Sequence, residues 1–411
     1  MQASRRDLLK VGRSSAAVVS LGSTIPAFLT RFAMADTPAT HPVQSDNILV
    51  VVQLSGGNDG LNTVIPIGDD VYHKSRQVIG VKDKALMLDD TLALNPSMTA
   101  FKDLFGAGQL AVINGCGYPQ PNRSHFRSME IWQTADPVDV QTSGWLGHYL
   151  DHMLRGTDQS MAAINIGSQL PTALVTDGAP VPSIQSISDF GLTPDQGINA
   201  RDGAAENKII TSLNAVREQS PALQFLTRQA TNAIVSSADI HKMTNGYKPE
   251  ANYPGGLGQS LRLIAQLITG HLGTRLYYCE IGGFDTHSGE EPQHSQLLGS
   301  VAAGIAAFHK DLTAKKLNDK VTVMCFSEFG RRVEQNASNG TDHGTAGPMF
   351  VSGGAVKGGL YGKYPSMADL DDGDLKYTTD FRRVYATLLE KWLSADSAAV
   401  LQNKFQTMDF I

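Results

Sequence analysis

The sequence predicts an α/β fold, a three-layer sandwich with a mostly parallel central sheet and a helical insertion. Three observations point there. Continuous apolar runs recur at 48–54 (ILVVVQL), 274–281 (TRLYYCEI) and 321–326 (VTVMCF), the texture of strands buried on both faces. Segments with apolar residues at helical spacing, such as 257–272 and 291–315, lie between them. Each run also ends in a loop carrying Asp, Glu or His, and in an open parallel sheet such loops converge outside the carboxyl ends of the strands.

The chain opens on a leader. Ser4-Arg5-Arg6-Asp7-Leu8-Leu9-Lys10 is a twin-arginine n-region, a small-residue apolar stretch follows over 14–29, and Ala33-Met34-Ala35 is an A-x-A cleavage pattern. The expectation is a signal peptide over 1–35 and one α/β domain over 36–411. The twin-arginine translocase would export it, already folded, to the periplasm or beyond. Ser, Gly and Pro26 keep the apolar stretch short of the roughly 20 strongly apolar residues that a membrane span needs, so no stable membrane insertion is expected.

Ile48 to Leu54 reads as a central strand, and Ser55-Gly56-Gly57-Asn58-Asp59-Gly60 as the sharp turn after it. Asp59 is there either as a ligand or as a turn residue or helix cap. A covering helix is expected over 97–105 and a strand over 110–114. That strand leads into a loop ending at Asn122-Arg123-Ser124-His125-Phe126-Arg127, where a helix begins. A helix N-terminus favours anions, so Ser124 suits a hydroxyl nucleophile or a phosphate-binding group, although Ser and Asn are also ordinary N-caps. Arg123 and Arg127 beside it carry guanidinium forks that match tetrahedral oxyanions. A further strand is expected over 161–166. From about 171 to 252 the texture turns polar and broken, which reads as a helical cap or insertion.

The helix 257–272 then precedes the strand 274–281, which ends in Gly282-Gly283-Phe284-Asp285-Thr286-His287. His294 and His309, on the long helix 291–315, read as surface or packing residues. The strand 321–326 ends in Ser327-Glu328-Phe329-Gly330, and Thr341-Asp342-His343-Gly344 follows before a last strand at 348–351. Residues 379–393 (TDFRRVYATLLEKWL) form a capped amphipathic helix.

Forty acidic against 34 basic residues leave no footprint for nucleic acid. Three cysteines argue against a disulfide framework, and if one pair bridges it is Cys279 with Cys325 on neighbouring strands. Asp, Glu and neutral His are the set that binds Zn or Mn rather than Mg or Ca. Asp59, Asp285, His287, Glu328, Asp342 and His343 supply six such groups from four loops, enough for two ions.

The motifs Leu54-Ser55-Gly56-Gly57-Asn58-Asp59-Gly60, Asn122-Arg123-Ser124-His125, Gly283-Phe284-Asp285-Thr286-His287, Ser327-Glu328-Phe329-Gly330-Arg331 and Thr341-Asp342-His343-Gly344 occur in the order found in the domain of unknown function 1501 family. Over nearly its whole mature length the chain resembles that family of exported proteins. The family is in turn distantly similar to the alkaline phosphatase and sulfatase superfamily. That resemblance implies an alkaline-phosphatase-like sandwich, with Asp59 as first-strand metal ligand and Ser124 in the nucleophile's place. It also implies Asp285 with His287 on one metal, Glu328 standing in for an aspartate, and His343 as the last histidine. The expected activity is a metal-dependent hydrolase of small-molecule phosphate or sulfate esters, in which Ser124 attacks and Arg123 or Arg127 stabilises the oxyanions. Two alternatives stand beside it: a metal-free serine esterase, and a non-catalytic envelope or binding protein on a hydrolase-like fold.

Overall fold

Ile48–Leu54 becomes the central strand β1, and its two faces define the layers around it. Side chains alternate across a strand, so Val50, Val52 and Leu54 enter one apolar core while Leu49 and Val51 enter a second. The computed structural model describes residues 46–153, 161–176, 181–187 and 240–411. The twin-arginine leader and its cleavage pattern lie outside the described residues.

Eight further strands complete the sheet: β2 (Leu110–Gly117), β3 (Ala163–Ile166), β4 (Ser183–Ile184), β5 (Leu276–Ile281), β6 (Val321–Ser327), β7 (Gly347–Gly353), β8 (Gly359–Tyr361) and β9 (Thr379–Asp380). The order is β8-β2-β7-β6-β1-β5-β3-β4, with β9 also paired to β2. Every pairing is parallel except those of β7 with β2 and β6. This inversion positions the site. Residues after β1, β2, β5 and β6 emerge at one edge, and because β7 runs backwards the residues before it emerge there too.

Helices α1 (Thr99–Gly106), α2 (His125–Thr134), α3 (Trp145–Met153), α4 (Gly255–Thr269), α5 (Glu290–Ala314) and α6 (Phe381–Thr387) cover both faces. Phe101, Leu261 and Ile305 carry α1, α4 and α5 into the core beside Val50. Trp132, Trp145 and Tyr385 carry α2, α3 and α6 into the core beside Leu49. The expected C-terminal helix is capped by Asp380, which accepts from the Arg382 N–H, but it ends at Thr387 and continues as a π-helix, Leu388–Trp392. Most of the expected insertion, residues 188–239, lies outside the described residues; within its range Ser183–Ile184 is the edge strand β4. Among the described residues no helix is long and apolar enough to cross a membrane.

All three cysteines are free and buried. Cys279 and Cys325 both stand opposite Val52, but on opposite sides of β1. Two strand spacings, about 9.6 Å, therefore separate them, beyond the reach of a disulfide.

His294 and His309 are packing residues, buried to 1% and 2% exposure. His309 bridges the Asn318 side chain and Ser352 Oγ, and burial pushes both imidazoles down to about 4. The folded chain thus holds both rings neutral, whereas the unfolded chain protonates them below about 6.5. Their stabilisation is complete above that pH and is lost as pH falls towards 4, by up to about 3 kcal/mol for each ring. Urea midpoints compared at pH 7.5 and 4.5 should show this loss, and His309→Gln should reduce it. An equal acid loss in the variant would remove His309 from the account.

Candidate metal centre

The turn after β1 lies flat against the loop after β5. Gly56 has φ +120°, and a Cβ there would stand 2.4 Å from the Asp285 amide nitrogen, so only glycine permits the approach. Beyond β5 the Thr286 N–H donates to Phe284 O, closing a tight turn at Asp285; Phe284 and Thr286 are buried, and Asp285 and His287 are exposed. The loop after β6 pairs with the loop before β7. Gly344 N–H donates to Gly330 O, and Arg331 and His343 form a bridge. His343 is thereby carried to the same edge as Asp285.

Three imidazoles meet at Asp285 Oδ1. The Nε2 atoms of His287, His343 and His125 stand 3.1, 3.2 and 3.5 Å from it, and those of His287 and His343 are 3.0 Å apart. Each ring presents its other nitrogen to a group that can only accept. His125 Nδ1 meets Glu328 Oε1 at 2.9 Å, His287 Nδ1 meets Asp342 Oδ1 at 3.2 Å, and His343 Nδ1 meets the carbonyl oxygen of Arg123 at 2.8 Å. Each ring is thus set between two acceptors, one at Nδ1 and the Asp285 carboxylate at Nε2. Carboxylate and carbonyl partners of this kind fix the ring and raise its basicity in metal sites.

The charges fit a cation. Burial pushes the Asp285 pKa up, but the Arg331 guanidinium, with the histidines beside it, outweighs burial and holds it down at about 2. Burial likewise pushes Glu328 up, while His125 and the Gly56 N–H outweigh it, so Glu328 stays ionised. The Glu328 contact raises His125, and burial lowers His343.

Two further observations fit an ion at this point. His125 Nε2 is buried and makes no hydrogen bond. One ligand atom each from His125, Asp285 and His343 lies within 4.8 Å of the others, close enough to hold an ion together, while His287 flanks that set against Asp285 and His343.

The structure redistributes the six expected ligands. Asp285, His287 and His343 come together. Glu328 and Asp342 stand behind histidines and orient them. Asp59 does not join: it is fully buried, caps the helical turn Gly60–Thr63 and is ion-paired with buried Arg76. Burial would raise the Asp59 pKa, but Arg76 holds it low; burial and the Asp59 charge push neighbouring Glu290 up, so Glu290 keeps its proton. Asp59, Glu290 and His294 nevertheless lie close enough to one another to hold an ion, in a second, fully buried set apart from the first. His125 is the member of the cluster that the six omitted. The signal available was its place in the loop after a strand, between two arginines that looked more suited to anions.

Arg123 and Arg127 are held by acceptors outside the cluster. Arg123 pairs with Asp372 and Asp374, and Arg127 pairs with Glu130 and the carbonyls of 137–139. Ser124 is exposed at the N-cap of α2, and its hydroxyl makes no capping bond.

Removing an orienting carboxylate typically costs 10–100-fold in metal affinity. Asp342→Ala, at an exposed position, should therefore bind Zn about 10–100-fold more weakly in competition with a chromogenic chelator. Unchanged affinity would remove Asp342 from the site.

Residues 46–404 match the family model described as "Protein of unknown function (DUF1501)". The chain is similar in structure to the C-terminal periplasmic domain of EcEptC from Escherichia coli in complex with Zn, at 11% identity and TM-score 0.34, covering 78% of this chain and 76% of that one. It is also similar to Ps i-CgsB in complex with k-i-k-neocarrahexaose, at 10% identity and TM-score 0.35, covering 88% and 73%. Neither likeness bears on the chemistry of the cluster. No curated protein matches the chain.

Proposed function

We propose that this chain, which belongs to the DUF1501 family, is an exported metal-dependent hydrolase of phosphate or sulfate esters with a mononuclear centre. The observation that carries the reading is the meeting of three Nε2 atoms at one carboxylate oxygen, each ring held by an acceptor behind it. His125, Asp285 and His343 would hold the ion with His287 beside them, and Zn or Mn is preferred for this donor set. A bound cation there would polarise the ester and lower the pKa of an attacking hydroxyl.

Ser124 is the hydroxyl adjoining the cluster in the chain, and we assign it the attack on phosphorus or sulfur as the ester's alcohol leaves. Water then releases the acid. Oxyanion stabilisation falls to the N-terminus of α2. Ser128 N–H makes the first intrahelical bond, to Ser124 O, so the amides of His125, Phe126 and Arg127 precede the helical ladder.

The test is metal analysis of protein from the periplasm, paired with phosphate and sulfate ester turnover. Bound Zn or Mn, with activity lost to chelator and restored by the ion, supports the reading. Full turnover in chelator would favour a serine esterase instead. Loss of turnover in Ser124→Ala with metal retained identifies the nucleophile, whereas normal turnover transfers that role to water.

A further inference from the structure

A cavity of about 510 Å³ opens directly onto Asp285, His125 and Glu328, within the size range of small-molecule sites. One wall is a single face of α2. Phe126, Met129, Glu130 and Gln133 follow one another at helical spacing, and all four line the cavity. The wall is graded. Phe126 is 91% exposed, more than any other large apolar side chain among the described residues, whereas Gln133 is 7% exposed. At the inner end Gln133 Nε2 donates to Gln53 Oε1, and Gln53 Nε2 donates to Ser55 Oγ and to Glu280 Oε2, so the lining there is amide and hydroxyl, with the carboxylate behind it.

The lining offers no free cation. Glu130, Asp285 and Glu328 contribute carboxylates, already paired with Arg127, Arg331 and His125 respectively, and among the described residues no lysine or arginine lines the cavity. An anionic group placed away from the centre would lose its hydration and find no unpaired positive charge to replace it. A neutral ring with hydroxyl groups meets complementary surfaces instead: an aromatic face and a thioether at the mouth, and amide groups at depth.

We infer that this cavity is the subsite for the non-reacting part of the substrate, and that this part is an uncharged ring bearing hydroxyl groups, stacked on Phe126. The assignment of the ring to an ester rests on the proposed function; the binding of the ring does not. Phe126 is thus a specificity-determining residue, and polyanionic esters are excluded from the site.

Calorimetric titration of the full chain with benzyl alcohol, methyl glucoside and benzoate tests this in chelator, where no cation can recruit the carboxylate. At least one neutral probe should bind, and benzoate should bind at least about 10-fold more weakly. Phe126→Ala should weaken the neutral probe by about 3- to 10-fold, the range an aromatic contact supplies, with the metal content of the untreated protein unchanged. Benzoate binding as tightly as the neutral probes, no neutral binding at all, or an unaltered affinity in Phe126→Ala each overturns the inference. Because the titration needs neither metal nor turnover, a chain that binds the ring but hydrolyses nothing refutes the proposed function and leaves the subsite standing.

Discussion

A His343→Ala chain, purified folded, should retain no stoichiometric divalent metal and should turn over esters at least about 100-fold more slowly. His343 Nε2 lies 3.2 Å from Asp285 Oδ1 and 3.0 Å from His287 Nε2, so its loss opens one corner of the set and removes a neighbour from two other donors. Orienting residues alone cost 10–100-fold in comparable sites, and a direct ligand should cost more. His125→Ala should do the same, and it separates this geometry from the one expected from sequence, in which His125 held no metal. Elemental analysis and a thermal midpoint on each variant give the reading. Metal retained at full stoichiometry in both variants would sink the centre.

Arg76→Ala should destabilise the fold by about 3–5 kcal/mol, read as a lower urea midpoint. The substitution leaves Asp59 charged and fully buried with its partner gone, and removing one member of a buried pair typically costs that much. Arg76 also donates to the carbonyls of Val333 and Arg332, so the loop after β6 loosens too. A double replacement, Arg76→Met with Asp59→Asn, should recover most of the loss, because it removes both charges together. Asp59→Asn alone should leave the metal content intact. Metal lost from that variant, without a fall in stability, would return Asp59 to the ligand set.

The two sites show where the sequence was legible. Alternation and burial are local properties, so the runs that became β1, β5 and β6 were readable within a residue or two, and α5 within one, while α4 ends at Thr269 rather than 272. Asp285 and His287 were readable because they follow directly on a buried apolar run. Asp59 looked equivalent, following a strand and a glycine turn. The competing claim came from Arg76, whose guanidinium reaches it in the interior, and no spacing rule in the sequence pairs the two. Arg123 and Arg127 promised oxyanion contacts by residue type; carboxylates at Asp372 and Asp374 had already taken the first, and Glu130 with the 137–139 carbonyls the second.

From its sequence alone this protein was determined to be an α/β sandwich with a mostly parallel sheet and with Asp and His side chains gathered near strand ends. Burial periodicity and loop chemistry are set by neighbours along the chain. Only the tertiary structure decided which of those side chains meet. The inversion of β7 carries His343 to the edge where β5 leaves Asp285, and α2 swings His125 across to Glu328, 203 residues away in sequence. A centre assembled from contacts that distant depends on strand order and direction, which periodicity along a single chain does not encode.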